Sequence, residues 1–256
     1  MRLMEGKKGI VFGVANERSI AWACAKELAD AGAEVAFTYQ NEILEKRVRP
    51  LAESVGAKII EPCDVSKNEQ VESVFKKIGD SFQGLDFMIH SLAFANKDEL
   101  SGRYINTGRE GFLLAMDVSV YSMTLLCRHA EPLMKERNGS IVTLTYYGAE
   151  KVIPNYNVMG VAKAGLEASV RYLASDMGQN GIRVNAISAG VIKTLASSGI
   201  SGMRTMLEHC GEKSPLKRNI TAEEVGKTAL YLCSDLSSGV TGEIIHVDAG
   251  YNIAGM

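Results

Sequence analysis

GIVFGVANERSIAWACAKELADAG, residues 9–32, holds the reading that decides the fold. Its first six residues (9–14) are a short apolar run of the kind that buried strands show. From Ser19 onward the apolar positions fall at helical spacing, and Gly32 supplies the residue type that favours a helix stop. Between the two lies the turn GVANERSIA, in which Gly13 ends the strand and Ser19 opens the helix. Such a turn aims backbone N–H groups and the positive end of the helix dipole at one spot, so an anion is expected there. The pattern G-x-G-x-x-G is not met: Ala15 takes the second glycine's place, and no third glycine occurs before Gly32. Ser19 taken alone serves equally as an ordinary helix cap.

Outward from this unit the alternation continues. EVAFTY (34–39), AKIIEPCDV (57–65), LDFMIHSLA (85–93), GSIVTLTY (139–146), IRVNAISAG (182–190) and EIIHV (243–247) read as strands. Helices are predicted at 42–55, 68–82, 109–136, 156–178 and 222–234; the second of these places Val71, Val74, Phe75 and Ile78 at the 3.6-residue period. Strand–helix alternation with right-handed crossovers implies an α/β fold, a doubly wound parallel sheet with helices on both faces. No linker rich in Pro, Gly or Ser and no repeat interrupts the 256 residues, so a single domain is expected over 1–256. The irregular stretches are 94–108 and 191–206, and loops beyond strand carboxyl ends are where such sheets bind ligands. The second, small-residue-rich apart from Ile192, Leu195, Ile200, Met203 and Met206, is expected to be a mobile cover over the site.

A net charge of -2 gives no general reason to expect nucleic acid or an anionic membrane as partner. The start, MRLMEGKKGIVFG, has no signal-peptide character, and no apolar run approaches the ~20 residues of a membrane span, so a cytoplasmic protein is expected. Five scattered cysteines suggest reduced, buried thiols, and four histidines without ligand spacing argue against a metal site.

The strand ends carry the candidate chemistry. In dinucleotide folds an acidic residue after the second strand takes the ribose hydroxyls, whereas an arginine favours a 2′-phosphate. Gln40 is neither: it can bond a ribose without welcoming a dianion, and Glu42 disfavours one. Asp64 stands where it could bond the adenine amino group, with Val65 against the ring, or it is a plain strand-end turn residue. YNVMGVAK, read as helix, sets Tyr156 and Lys163 seven residues apart on one face, with Met159 one turn before the lysine.

GVANERSIAW, FTYQNE, CDVS, HSLAFA, NYNVMGVAK, RVNAISAG and VTGEIIHVDAG together resemble, in order, the short-chain-dehydrogenase-related enoyl-acyl-carrier-protein reductases of bacterial fatty-acid synthesis. The resemblance runs from about residue 5 to the last strand. It implies a Rossmann-type sheet, a nicotinamide cofactor (NADH, given Gln40 and Glu42), acyl carrier protein as the partner that delivers substrate, and, as is usual in the family, a homotetramer. It carries Tyr156 and Lys163 over as the catalytic pair and Tyr146 as a second active-site tyrosine. It matches Gly13, Ser19, Ile20, Gln40, Asp64, Val65, Leu92 and Lys163 to cofactor-contacting positions, sets Ile192, Lys193, Thr194, Leu195 and Ala196 over the nicotinamide end, and puts Ala95, Tyr146 and Tyr156 at the acyl substrate. Ala93 departs from the glycine that many members carry beside the nicotinamide pocket.

Common short-chain dehydrogenases have their tyrosine where Met159 stands, and the chemistry suggests why it is displaced here. A ketone takes hydride on the carbon that bears its oxygen. An enoyl thioester takes it at C3, while charge builds on the C1 oxygen two carbons away. One helical turn moves an anchor by ~5.4 Å. Tyr156 is therefore expected to stabilise the enolate, and Lys163 to hold the ribose hydroxyls. A carbonyl reductase such as a 3-oxoacyl-carrier-protein reductase, or a non-catalytic dinucleotide sensor, are the alternatives; Met159 counts against the first and the Tyr156–Lys163 pair against the second.

Overall fold

The computed structural model describes residues 2–194 and 202–254. Seven strands form one sheet, β1 (Lys8–Phe12), β2 (Glu34–Tyr39), β3 (Ile60–Pro62), β4 (Phe87–His90), β5 (Ser140–Thr145), β6 (Arg183–Ala189) and β7 (Ile244–Val247), every pairing parallel. Their order is β3-β2-β1-β4-β5-β6-β7. The chain leaves β1 toward one edge and returns to its other side at β4, so the crevice between β1 and β4 is the switch point where such sheets take ligands. The doubly wound parallel sheet expected from the alternation, and the Rossmann type that the resemblance implies, are both observed.

The helices are α1 (Ile20–Asp30), α2 (Glu42–Ser54), α3 (Asn68–Phe82), α4 (Arg109–Met116), α5 (Ser122–Met134), α6 (Asn157–Gly178), α7 (Met203–Lys213) and α8 (Ala222–Cys233). One face of the sheet buries Ile10, Phe12 and Met88 against Val74, Ile78, Leu126 and Leu166 of α3, α5 and α6. The other buries Val11, Phe37 and Ile89 against Leu28, Val48 and Leu232 of α1, α2 and α8. Because β4 and β5 are covered on both faces, every residue in them is buried, with no alternation between a core face and a solvent face.

The structure corrects three expectations. Residues 203–206, read as part of an irregular cover, are the first turn of α7, while 195–201 lie outside the described residues. The stretch from α4 to α5 is one continuous helical run through a π segment at Asp117–Tyr121. At 26 residues, Arg109–Met134 is long and apolar enough to cross a membrane by length and composition, against the reading that no such run exists. Half of its most apolar window is buried inside the protein, with Val120, Met123, Leu126 and Ala130 in the core, which is the pattern of a core helix. Finally, Tyr156 is not in the helix; it caps it, with φ -117° and ψ -25°. Asn155 and Asn157, at φ 60° and 29°, bend the chain on either side of it. Asparagine tolerates that region better than most residues, and Pro154 precedes the bend.

Candidate active site at the carboxyl ends of the strands

At the end of β1, Gly13 has φ +100°, and a Cβ there would collide with the Ser91 carbonyl oxygen that follows β4. Glycine is therefore required twice over, by dihedral and by close approach, and the β1–β4 crevice stays narrow. Ser19 caps α1 with its backbone carbonyl, but its side chain makes no bond to the helix. Its Oγ instead accepts from Ala15 N and Asn16 N, both at 3.0 Å. This corrects the expectation that the whole turn offers N–H groups to an anion: two are taken by Ser19, and the offer falls to the first helical turn at Ile20 and Ala21, whose N–H groups a helix leaves without intrahelical partners.

At the neighbouring strand ends, Gln40 stands close enough to Asp64 to help hold its carboxyl ionised. Asp64 Oδ1 accepts from Ser66 Oγ at 2.7 Å and Ser66 N at 3.1 Å. Burial raises its carboxyl, but these bonds, Lys67 and Gln40 outweigh that and hold it below its usual value. Val65 is buried in the core beneath it, and Leu92 and Ala95 are half-buried against the same core after β4. The backbone there is clamped by Ser119 of the π segment: Phe94 N donates to Ser119 Oγ at 3.0 Å and Ser119 Oγ to Phe94 O at 3.2 Å. π segments recur at functional sites, and this one turns a serine toward the strand end. Ile192 is half-buried against the core, Lys193 exposed and Thr194 half-buried. Leu195 and Ala196 lie outside the described residues.

The tyrosines come together at the end of β5. The rings of Tyr146 and Tyr156 stand edge to face, centroids 5.1 Å apart. Burial pushes both phenols well above the usual tyrosine value. Tyr146 Oη reaches Met206 Sδ of α7 at 3.5 Å. Met159 is 6 % exposed and sits in the core. Behind the tyrosines, Lys163 is buried and its Nζ donates to Leu144 O at 2.7 Å. Burial pushes its ammonium down to about 8, opposed by Glu167. Among the described residues no three His, Cys, Asp or Glu side chains stand together as a metal site would need.

A family model described as enoyl-(acyl carrier protein) reductase matches residues 13–252. The chain belongs to the enoyl-acyl-carrier-protein reductase family. An enoyl-acyl-carrier-protein reductase [NADH] of Rhizobium meliloti is 58% identical over 254 residues, covering 99% of this chain and 93% of the relative. The crystal structure of the Anaplasma phagocytophilum reductase in complex with NAD is 56% identical, with a TM-score of 0.95 over 99% of this chain and 97% of that one. That of the Bacillus cereus reductase with NADP+ and indole naphthyridinone is 51% identical, with a TM-score of 0.97 and 100% of both chains covered.

Within this reductase, sequence reasoning missed Ser91, Ser119, Gly148, Thr145 and Glu167. Only Glu167 left a signal, standing four residues after Lys163 and hence on its face of α6. His90, read as a plain strand histidine, is fully buried between Thr143 Oγ1 at 2.7 Å and Ser122 Oγ at 2.9 Å. Burial and the nearby Lys163 push it down to about 3, so it is neutral.

Proposed function

We propose that this protein reduces the trans-2 double bond of enoyl thioesters carried by acyl carrier protein, with NADH as reductant, in the last reductive step of fatty-acid elongation. One observation carries the reading at the level of residues. Tyr156 faces Tyr146 at the mouth of the site, while the position a ketone reductase would use holds Met159, buried in the core. The residues suit a nicotinamide dinucleotide: a glycine-only crossing at Gly13, a helix N-terminus for the pyrophosphate, Gln40 and Asp64 for the adenosine half, and Lys163 for the ribose. NADH, when bound, supplies the hydride.

The chain's own part is electrostatic. Burial keeps the Tyr156 phenol protonated, so it acts as a hydrogen-bond donor to the oxygen on which enolate charge develops. Tyr146, edge-on to it and held by Met206, orients that ring and lines the acyl path with Ala95. Lys163 gives one N–H to Leu144 O, and its remaining donors serve the ribose hydroxyls. Residues 191–194 and the first turn of α7, with Met203 and Met206, stand on the nicotinamide side of the site.

The protein works in the cytoplasm as a homotetramer. Leu113 and Tyr121 on the long helical run and Val161 and Tyr172 on α6 are exposed, an apolar set that suits burial by a second copy. Nicotinamide absorbance followed with crotonyl and acetoacetyl thioesters tests the activity. Oxidation with the enoyl substrate is expected; oxidation with only the ketone substrate would replace this reading by a carbonyl reductase, and none with either by a sensor.

A further inference from the structure

Two side chains of α6, one turn apart, fasten to successive residues at the end of β5. Lys163 Nζ donates to Leu144 O at 2.7 Å, and Thr145 Oγ1 donates to Glu167 Oε1 at 2.7 Å. All three side chains are buried: Lys163 is 6 %, Glu167 8 % and Thr145 4 % exposed. The next residue along the chain is Tyr146, so the same latch seats the strand end that carries the site's second tyrosine. Carboxylates are rarely buried without a paired charge, because desolvation of the ionised form is costly. A carboxylate four residues after a buried ammonium lies beside it on the helix face. A latch between strand and helix would be served as well by a neutral amide, so the charge itself calls for a task.

We propose that Glu167 is a positioning residue for NADH: anchored by Thr145, its carboxylate keeps Lys163 charged and aimed at the cofactor ribose. The proposal rests on the reading of Lys163 as the ribose-holding group. The field around the pair is consistent with it. Lys163 feels the charge of Glu167, one turn on along its own helix, and lies near the neutral His90 on β4. Glu167 is raised by burial, lowered by the Thr145 hydroxyl, raised by Glu150, and lowered by His246 on β7 and Arg171 on α6. Lys163, pushed down to about 8, sits where the loss of a single neighbouring negative charge takes its ammonium toward neutral pH.

NADH binds the charged form, so affinity is fully present below the free enzyme's Lys163 value and is lost as pH rises through it. The test is the NADH dissociation constant of the full-length protein, read by nicotinamide fluorescence between about pH 6 and 10 around that value. Wild type should hold constant affinity up to about pH 8 and weaken above it. Glu167→Gln should move this break acidward by roughly one pH unit, and Glu167→Asp should bring it back toward wild type. Should the amide variant fail to fold, Glu167→Met removes the same charge and reads the same break. Weaker binding by one constant factor at every pH, with the break unmoved, would make Glu167 a packing residue and overturn the proposal. Lys163→Met separates the two readings. A break lost in Lys163→Met but unmoved in Glu167→Gln sinks the role of Glu167 alone; a break retained in Lys163→Met sinks the assignment of Lys163 beneath it.

Discussion

Tyr146 and Tyr156 meet edge to face, ring planes at 78° and centroids 5.1 Å apart, although one ends a strand and the other caps a helix. Edge-to-face pairs of this kind stabilise by roughly 0.5–1.5 kcal/mol beyond area burial, enough to hold each ring in one orientation. Both phenols sit far above the ordinary tyrosine range because burial penalises the phenolate. They are donors at any physiological pH, not bases.

Tyr156→Phe should therefore lower turnover about a hundredfold or more, the scale of removing one preorganised oxyanion donor, with NADH affinity nearly intact. Lys163→Ala should weaken NADH binding itself, by about 1.5–3 kcal/mol for the lost charge-assisted bonds. Steady-state kinetics beside direct NADH titration separates the two, and equal loss of NADH affinity in both variants would refute the division of labour.

NADH should be preferred to NADPH. Gln40 cannot neutralise a 2′-phosphate, and the nearby Asp64, held ionised, disfavours a second anion at that strand end. Gln40→Arg should shift kcat/KM toward NADPH. Comparable kcat/KM for the two cofactors in the wild type would contradict the argument.

Gly148→Ala should disturb the tyrosine pair without touching the cofactor side. A Cβ at 148 would stand 2.6 Å from Tyr156 Cδ1 and 3.3 Å from Tyr146 Cδ1. Displacing the rings costs roughly 1–3 kcal/mol of stability by overpacking. Turnover with crotonyl thioester should fall while the NADH dissociation constant holds; unchanged turnover would show that the ring geometry is not what catalysis needs.

The rim beside the cover tests delivery by the carrier protein. Between Lys193 and Arg218 five basic residues stand against Glu208 and Glu212, but Arg218 is held by Glu224 of α8 at 2.7 Å, which removes one positive charge from that balance. Arg204 is 93 % exposed, its contact with Glu208 being a surface pair of little strength. Arg204→Glu should raise KM for the carrier-protein substrate, more at low salt, and barely touch a coenzyme A thioester. Equal harm to both substrates would assign Arg204 to the pocket or the fold.

How far the chain could be read without coordinates varied by element. Buried strands such as IVFGV and SIVTL were visible as short, mostly apolar runs, and α3 by its 3.6-residue period, each written in a few consecutive residues. Helix α7 was not, since MRTMLEHCGEK is polar, has one buried residue and follows a run of small residues. Nor was the π segment, where an extra residue per turn leaves no compositional mark but brings Ser119 to the Phe94 backbone.

The sequence by itself determined the strand–helix alternation, the family and the identities of Gly13, Gln40, Asp64, Tyr146, Tyr156 and Lys163. These rest on local periodicity and on residue types whose chemistry does not depend on distant partners. Tertiary structure alone decided what those residues do to one another. Tyr156 stands where two left-handed asparagines put it rather than on a helical face. Ser19 is spent on its own loop, and Glu167 reaches Thr145 across 22 residues of sequence. Side-chain contacts, burial and the pKa shifts that follow from it are properties of what packs around a group, and the packing of α6 on β5 is written in no short stretch of either.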